Sequence, residues 1–192
     1  MKKIKNLFML ATIAMITSTA TAQMDKMDNS EKTIMVGGAA MYPSKNIVQN
    51  AVNSNDHTTL VAAVKAAGLV ETLSSAGPFT VFAPTNKAFN KLPKGTVETL
   101  LKPENLKMLQ TVLTYHVVAG KLSAADIVAN IIAGGGTATI TTVAGSTLTL
   151  SMKGKKVQIM DTSGGKSYVT IADVNQSNGV IHVVDRVLVP KS

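Results

Sequence analysis

Hydrophobic positions along this chain change their period about two thirds of the way through. Up to Gly136 the apolar residues recur at three- and four-residue intervals, and beyond it they alternate with polar ones. Leu60, Val61, Val64 and Ala67 share one side of a helix, with Asn55 or Asp56 placed to cap its start and Gly68-Leu69 to stop it. Leu106, Leu109, Val112 and Leu113 repeat that spacing behind Lys102-Pro103-Glu104, where a proline at the first helical position forfeits no hydrogen bond. Ile127, Val128, Ile131 and Ile132 repeat it again behind the capping-box pattern Ser123-x-x-Asp126, and Gly134-Gly135-Gly136 ends that helix. Shorter helices are predicted over Ser44 to Val52, with Ile47, Val48, Ala51 and Val52 as the apolar face, and from Thr85 or Asn86 and from Thr96, divided by Leu92-Pro93.

Two apolar runs interrupt this helical half. Phe79 to Ala83 predicts a core strand apolar on both faces, because Phe79, Val81 and Ala83 alternate with Thr80 and Phe82. Pro84 closes it, and Thr85 or Asn86 can accept from the free N–H groups of the next helix. Tyr115-His116-Val117-Val118 predicts a short strand. From Thr137 onward, β-branched runs are separated by Ala-Gly-Ser, Lys-Gly-Lys, Ser-Gly-Gly-Lys and Gln-Ser-Asn-Gly, which predicts at least five strands in a meander. Helices first and strands afterwards make an α+β domain of mostly antiparallel strands flanked by short helices, not a doubly wound one.

The first 22 residues read differently. Lys2, Lys3 and Lys5 precede an apolar run from Ile4 to Ile16 that fades into Ala20-Thr21-Ala22, the pattern of a cleaved signal peptide too short to span a bilayer. Residues 23–44 are polar and then small, with Gly37-Gly38 and Pro43, and predict a flexible lead-in, able to dock near its end, to a domain at 45–190. The expectation is an exported, soluble protein, at most peripheral to a membrane. Three of the nineteen basic residues leave with the leader, so the net charge falls from +8 to +5. Scattered lysines and a single arginine, Arg186, do not make a nucleic-acid surface. The absence of cysteine removes disulfides, thiol nucleophiles and Cys-ligated metals.

Catalytic signatures are not found. There is no G-x-S-x-G, and His57, His116 and His182 stand in none of the spacings that hold zinc. The eleven acidic residues are dispersed, and the glycine run before Thr137 lacks phosphate-loop spacing. No cofactor and no catalytic residue are expected. Met24, Met27, Met35 and Met41 are soft thioethers suited to Cu(I), so a copper or small-ligand carrier, with Met35 and Met41 as ligands and a pocket near Tyr115-His116, is the alternative to adaptable packing.

Three segments in one order resemble a known family. TVFAPTNKAF (80–89), LTYHVVAGKL (113–122) and NGVIHVVDRVLVP (178–190) are similar to the first conserved box, the Tyr-His motif and the second conserved box of the fasciclin-like (FAS1) domain. The resemblance implies a wedge of β-strands flanked by helices, in secreted and cell-surface proteins that bind proteins or glycans in adhesion and do no catalysis. It places a proposed receptor contact on Tyr115 and His116. Thr80, Phe82, Pro84, Thr85, Asn86, Phe89, Gly179, His182 and Asp185 carry the boxes and are read as mainly structural. The competing reading of His116 is a residue whose ring ties the box segments together by hydrogen bonds.

Overall fold

The structure, a computed structural model, describes residues 32–191. The predicted leader and the lead-in as far as Glu31 lie outside the described residues. In chain order the elements are β1 (Ile34–Val36), β2 (Ala39–Met41), α1 (Ile47–Ala51), α2 (Thr58–Ala66), α3 (Val70–Ser74), β3 (Phe79–Pro84), α4 (Asn86–Phe89) and α5 (Thr96–Leu100). A 3₁₀ turn at Pro103–Asn105 leads into α6 (Leu106–Tyr115), followed by β4 (Val117–Ala119) and α7 (Ala124–Ala133). The meander follows as β5 (Thr137–Thr141), β6 (Thr147–Lys153), β7 (Lys156–Met160), β8 (Lys166–Gln176) and β9 (Gly179–Val184).

One seven-stranded sheet runs in the order β4-β3-β9-β8-β7-β6-β5. Every neighbouring pair is antiparallel except β3 and β9, which are parallel and in register from Phe79↔Gly179 to Pro84↔Val184. Because successive strand residues face opposite ways, β3 and β9 feed two separate cores. Val81, Ala83, Ile181 and Val183 join Leu60, Val64, Phe89, Leu109 and Leu113 under the first helices. Phe82 and Val184 join Tyr115, Ile127, Ile131, Leu148, Leu150, Ile159 and Leu188 under α7 and the meander. This two-sided burial is the apolar alternation of residues 79–83 made physical.

Helix ends follow the sequence signals in most places. Ser123 and Asp126 form the reciprocal capping box of α7. Gly68 takes φ +69°, the Leu69 N–H reaches the Val64 carbonyl and the Gly68 N–H reaches that of Lys65, which is a Schellman stop for α2. Thr85 is the cap of α4, its Oγ1 accepting the Ala88 N–H at 3.2 Å. Gly179 is demanded by close approach: a Cβ there would lie 2.0 Å from the Phe79 carbonyl oxygen, where β9 begins beside β3.

Four expectations change. The residue before α2 is His57, not Asn55 or Asp56, and it makes no side-chain cap. The free Thr59 N–H is instead taken by Asn86 Oδ1 from the far side of β3. In α1 the buried residues are Ile47 and Asn50, while Val52 is exposed, because the Asn50 amide answers both the N–H and the carbonyl of Tyr42 and the side chain of Gln176. Tyr115 is the last residue of α6 and His116 its C-cap, so the strand starts only at Val117. The end of the expected lead-in is a two-stranded hairpin, β1–β2, with Val36 and Met41 buried in the first core.

Candidate functional site

The three motif segments meet at one side of the sheet, where β4 is the edge strand. β3 lies between β4, which follows the Tyr-His pair, and β9, which carries the second box, and the Phe82 N–H donates to the His116 carbonyl at 2.9 Å. His116 Nδ1–H donates to the Val112 carbonyl at 2.7 Å, and its Nε2 accepts the Leu188 N–H at 2.9 Å. The ring therefore links the last turn of α6 to the segment after β9, and only 3% of the residue is exposed. Burial pushes its pKa down to about 4, against the Val112 carbonyl and the Asp161 carboxylate, which pull the other way. It is a neutral strut at ordinary pH.

Tyr115 has no exposed surface; its hydroxyl donates to the Thr147 carbonyl at 2.8 Å and accepts the Thr162 N–H at 3.0 Å. Direct receptor contact through Tyr115 and His116 is therefore closed off by burial, and both hydrogen-bond capacities are spent inside the fold. His182 behaves similarly. Nε2–H donates to the Leu122 carbonyl, Nδ1 faces the Asp173 N–H, and the ring stacks on Phe82 with centroids 5.8 Å apart. Its pKa is lowered, mainly by burial, with the Leu122 carbonyl and Asp173 opposing.

The remaining box residues are joints. Thr80 Oγ1 donates to the Gly120 carbonyl and accepts the Leu122 N–H, clamping the loop after β4. Pro84 pairs with Val184 at the end of the parallel ladder, and Phe89 packs in the first core. Asn86 caps α2 and also donates to Asn55 and Thr58. Asp185 accepts the Tyr168 N–H at 2.8 Å and meets Lys91 at 3.4 Å, so its ion-pair partner is Lys91 and not the adjacent Arg186.

Sequence reasoning passed over several buried polar residues. Asn178 accepts the Ile47 N–H and donates to Leu73 and Ser75, tying α1 and α3 to the start of β9. Asp161 collects the N–H groups of Ser163, Gly165 and Val189. In the sequence both look like ordinary turn residues, since nothing local marks the distant N–H groups they serve.

Ser54 and His57 form a hydrogen bond of 2.9 Å between Oγ and Nδ1. The pair does not make a nucleophile with its base, because both residues are nearly inaccessible and no carboxylate hydrogen-bonds the ring. Met35 and Met41 do not converge either. Met41 stands opposite Ile34 and is buried, whereas Met35 stands opposite Ala40 on the other face and is 59% exposed. Met24 and Met27 lie outside the described residues. Among the described residues no cluster of three His, Asp or Glu side chains offers a metal site.

Among the described residues, two features stand out as unspent by the fold. One is an apolar cavity of about 50 Å³ between α1, α2, α3 and the first core face of β3 and β9. The other is the outward face of β5–β8. Thr137, Ser151, Gln158 and Tyr168 form one cross-strand row, and Thr139, Thr149, Met160 and Lys166 the next. Lys153 lies directly opposite Lys156, with Lys155 in the turn between them.

The sequence matches the family model of the fasciclin domain over residues 55–190. It is 48% identical over 170 residues to the Synechocystis protein sll1483, covering 88% of this chain and 87% of that one. It is 37% identical over 145 residues to the immunogenic protein MPB70 of Mycobacterium bovis, covering 73% of this chain and 66% of that one. Among solved structures, a FAS1 domain pair from the insect cell adhesion molecule Fasciclin I superposes with a TM-score of 0.68 at 16% identity, over 83% of this chain and 58% of that one. No described helix is long and apolar enough to cross a membrane. The α+β fold with its parallel β3–β9 pair, the three motif segments that meet there and the extent of these matches have one reading: the chain belongs to the fasciclin domain family.

Proposed function

We propose that this chain is an exported, non-enzymatic interaction module that holds a polysaccharide or protein of the cell surface or matrix on the outward face of β5–β8. The observation that carries the reading is the chemistry of that face. Its exposed and half-exposed residues include the hydroxyls of Thr137, Thr139, Thr141, Thr147, Thr149 and Ser151, the Gln158 amide and the Tyr168 ring, beside Met160 and the lysines Lys153, Lys156 and Lys166. Hydroxyls and amides exchange hydrogen bonds with sugar hydroxyls, and an aromatic ring offers a flat apolar surface.

Charge narrows the partner. Between residues 137 and 170 there are four lysines, all exposed, and one acid, Asp161, which is buried and bonded internally. Placing Lys153 opposite Lys156 is unfavourable for the isolated fold, since like charges across a strand pair repel. A partner bearing carboxylates relieves that repulsion, so an acidic polysaccharide is favoured over a neutral one. Export rests on the leader-like residues 1–22, and the adhesion role of the structural neighbour supports the class of function.

The test is retention of envelope material from the producing cell on the immobilised chain from Gln23 onward. Lys153→Ser, Lys156→Ser and Lys166→Ser together are expected to release what the wild type retains, with a melting temperature no lower than the wild type's because the cross-strand repulsion is gone. Undiminished retention by that variant removes the face from the account, and no specific retention by the wild type removes the interaction reading itself.

A further inference from the structure

We propose that the cavity beneath α1, α2 and α3 is a binding site for a slim lipophilic molecule bearing one acceptor oxygen, whose chain fills the void and whose oxygen takes the Nε2–H of His57. This goes beyond the docking face, which lies on other strands. The cavity is walled by Ile47, Leu60, Val64, Val81 and Ile181, and its lining is almost wholly carbon. His57 is one of the few lining residues that brings a polar atom.

His57 is 97% buried, and its Nε2 is the one buried side-chain nitrogen or oxygen among the described residues that has no hydrogen-bond partner. Ser54 Oγ lies 2.9 Å from Nδ1, and in the tautomer in which that hydroxyl donates to Nδ1 the ring proton sits on Nε2, which is the arrangement the proposal requires. The Ala83 carbonyl nearby favours a proton on the ring but does not complete a hydrogen bond with Nε2. A buried donor in this state gains from any acceptor that reaches it.

Water is a poor occupant. The void exceeds the volume one water needs, yet a buried water asks for two to four polar partners and finds one donor here. An apolar molecule with a single oxygen fits that inventory. Shape narrows it further: about 50 Å³ is a third of the roughly 150 Å³ that admits benzene, so a chain end enters where a ring does not.

The way in is between short helices. Val48, Val61 and Val70 line the cavity and are half-buried, and Lys65, also lining it, is exposed, so the void reaches the surface between α1, α2 and α3. The Lys65 stem can cover an apolar chain while its ammonium stays in water. Met41 lines the inner wall, where an unbranched thioether side chain adjusts to variable contents.

The probes are 2-heptanone and n-heptane, titrated into the chain from Gln23 onward, which retains every described element, with methyl NMR as the readout. The ketone is expected to bind saturably, with shifts centred on Ile47, Leu60, Val81 and Ile181, and about tenfold more tightly than the alkane, the worth of one neutral hydrogen bond. Val48→Phe, at the rim, is expected to weaken binding at least about tenfold, with Val61→Phe as the second choice should the first disturb the fold. His57→Leu is expected to abolish the preference for the ketone while alkane binding persists. The proposal is overturned by the absence of saturable binding, by shifts centred elsewhere, by equal affinity of ketone and alkane for the wild type, or by a ketone preference that survives His57→Leu.

Discussion

Acidification should weaken this fold through its buried histidines, and His116 allows the size to be worked out. Its ring is held neutral between the Val112 carbonyl and the Leu188 N–H, with a folded-state pKa of about 4 against 6.5 when unfolded. The unfolded chain therefore takes up the proton more readily. The stabilisation is fully present above pH 6.5 and is lost as the pH falls towards 4. Linkage between these two values gives a loss of about 2 kcal/mol from His116 alone between pH 7.5 and pH 5. His57 and His182 are shifted the same way, both by burial, and add to the slope. Urea unfolding at pH 7.5, 6 and 5 measures it, and the same series on His116→Gln should show a slope smaller by about 2 kcal/mol over that range. A wild type that gains stability on acidification, or a variant with the wild-type slope, refutes the reasoning.

The joints of the first box make separate predictions. Thr85→Ala removes the α4 cap and should cost about 1 kcal/mol in urea unfolding. Asn86→Ala should cost more, about 2 kcal/mol, because the amide serves Thr59, Asn55 and Thr58 together, and a cost below that of Thr85→Ala would remove its bridging role. Gly179→Ala places a methyl 2.0 Å from the Phe79 carbonyl oxygen, so soluble folded yield should collapse, and a variant with native circular dichroism and melting would contradict the close approach.

The sequence made the inner faces of α2 (Leu60, Val64, Ala67) and α6 (Leu109, Val112, Leu113), the meander and the capping box of α7 legible, because each depends on residues within a turn or a hairpin of one another, whereas Val52, Leu106 and Ile132, assigned to helix faces by spacing alone, are exposed. The two-sided core strand was also legible from the alternation of Phe79, Val81 and Ala83 with Phe82. The parallel pairing of β3 with β9 was not, since it joins positions a hundred residues apart. Asn86 illustrates the same limit: its neighbours identify it as a helix start, but its amide caps a different helix, α2. The hairpin at Ile34–Met41 was hidden because Gly37-Gly38 and small residues read as a linker, and only the burial of Val36 and Met41 makes it part of the core.

The site was legible in its residues and not in its accessibility. Tyr115 and His116 stand out in the sequence, yet whether they face a partner or the core depends on the long-range contacts with Thr147, Thr162 and Leu188. The alternating threonines of β5 and β6 look like ordinary strand formers until cross-strand register aligns them with Gln158 and Tyr168. The cavity has no local signature at all. It arises where three short helices and two strands leave space beside His57.

The central claim is that the motif residues brace the module and that binding belongs to its outward face. It is tested most directly by comparing Tyr115→Phe with the wild type in retention of envelope material, below the melting temperature of both. The variant leaves the Thr147 carbonyl and the Thr162 N–H unpaired, so it should unfold about 1–2 kcal/mol more easily and retain the same material at the wild-type level. Unchanged stability with lost retention would place Tyr115 in the interface and contradict the account.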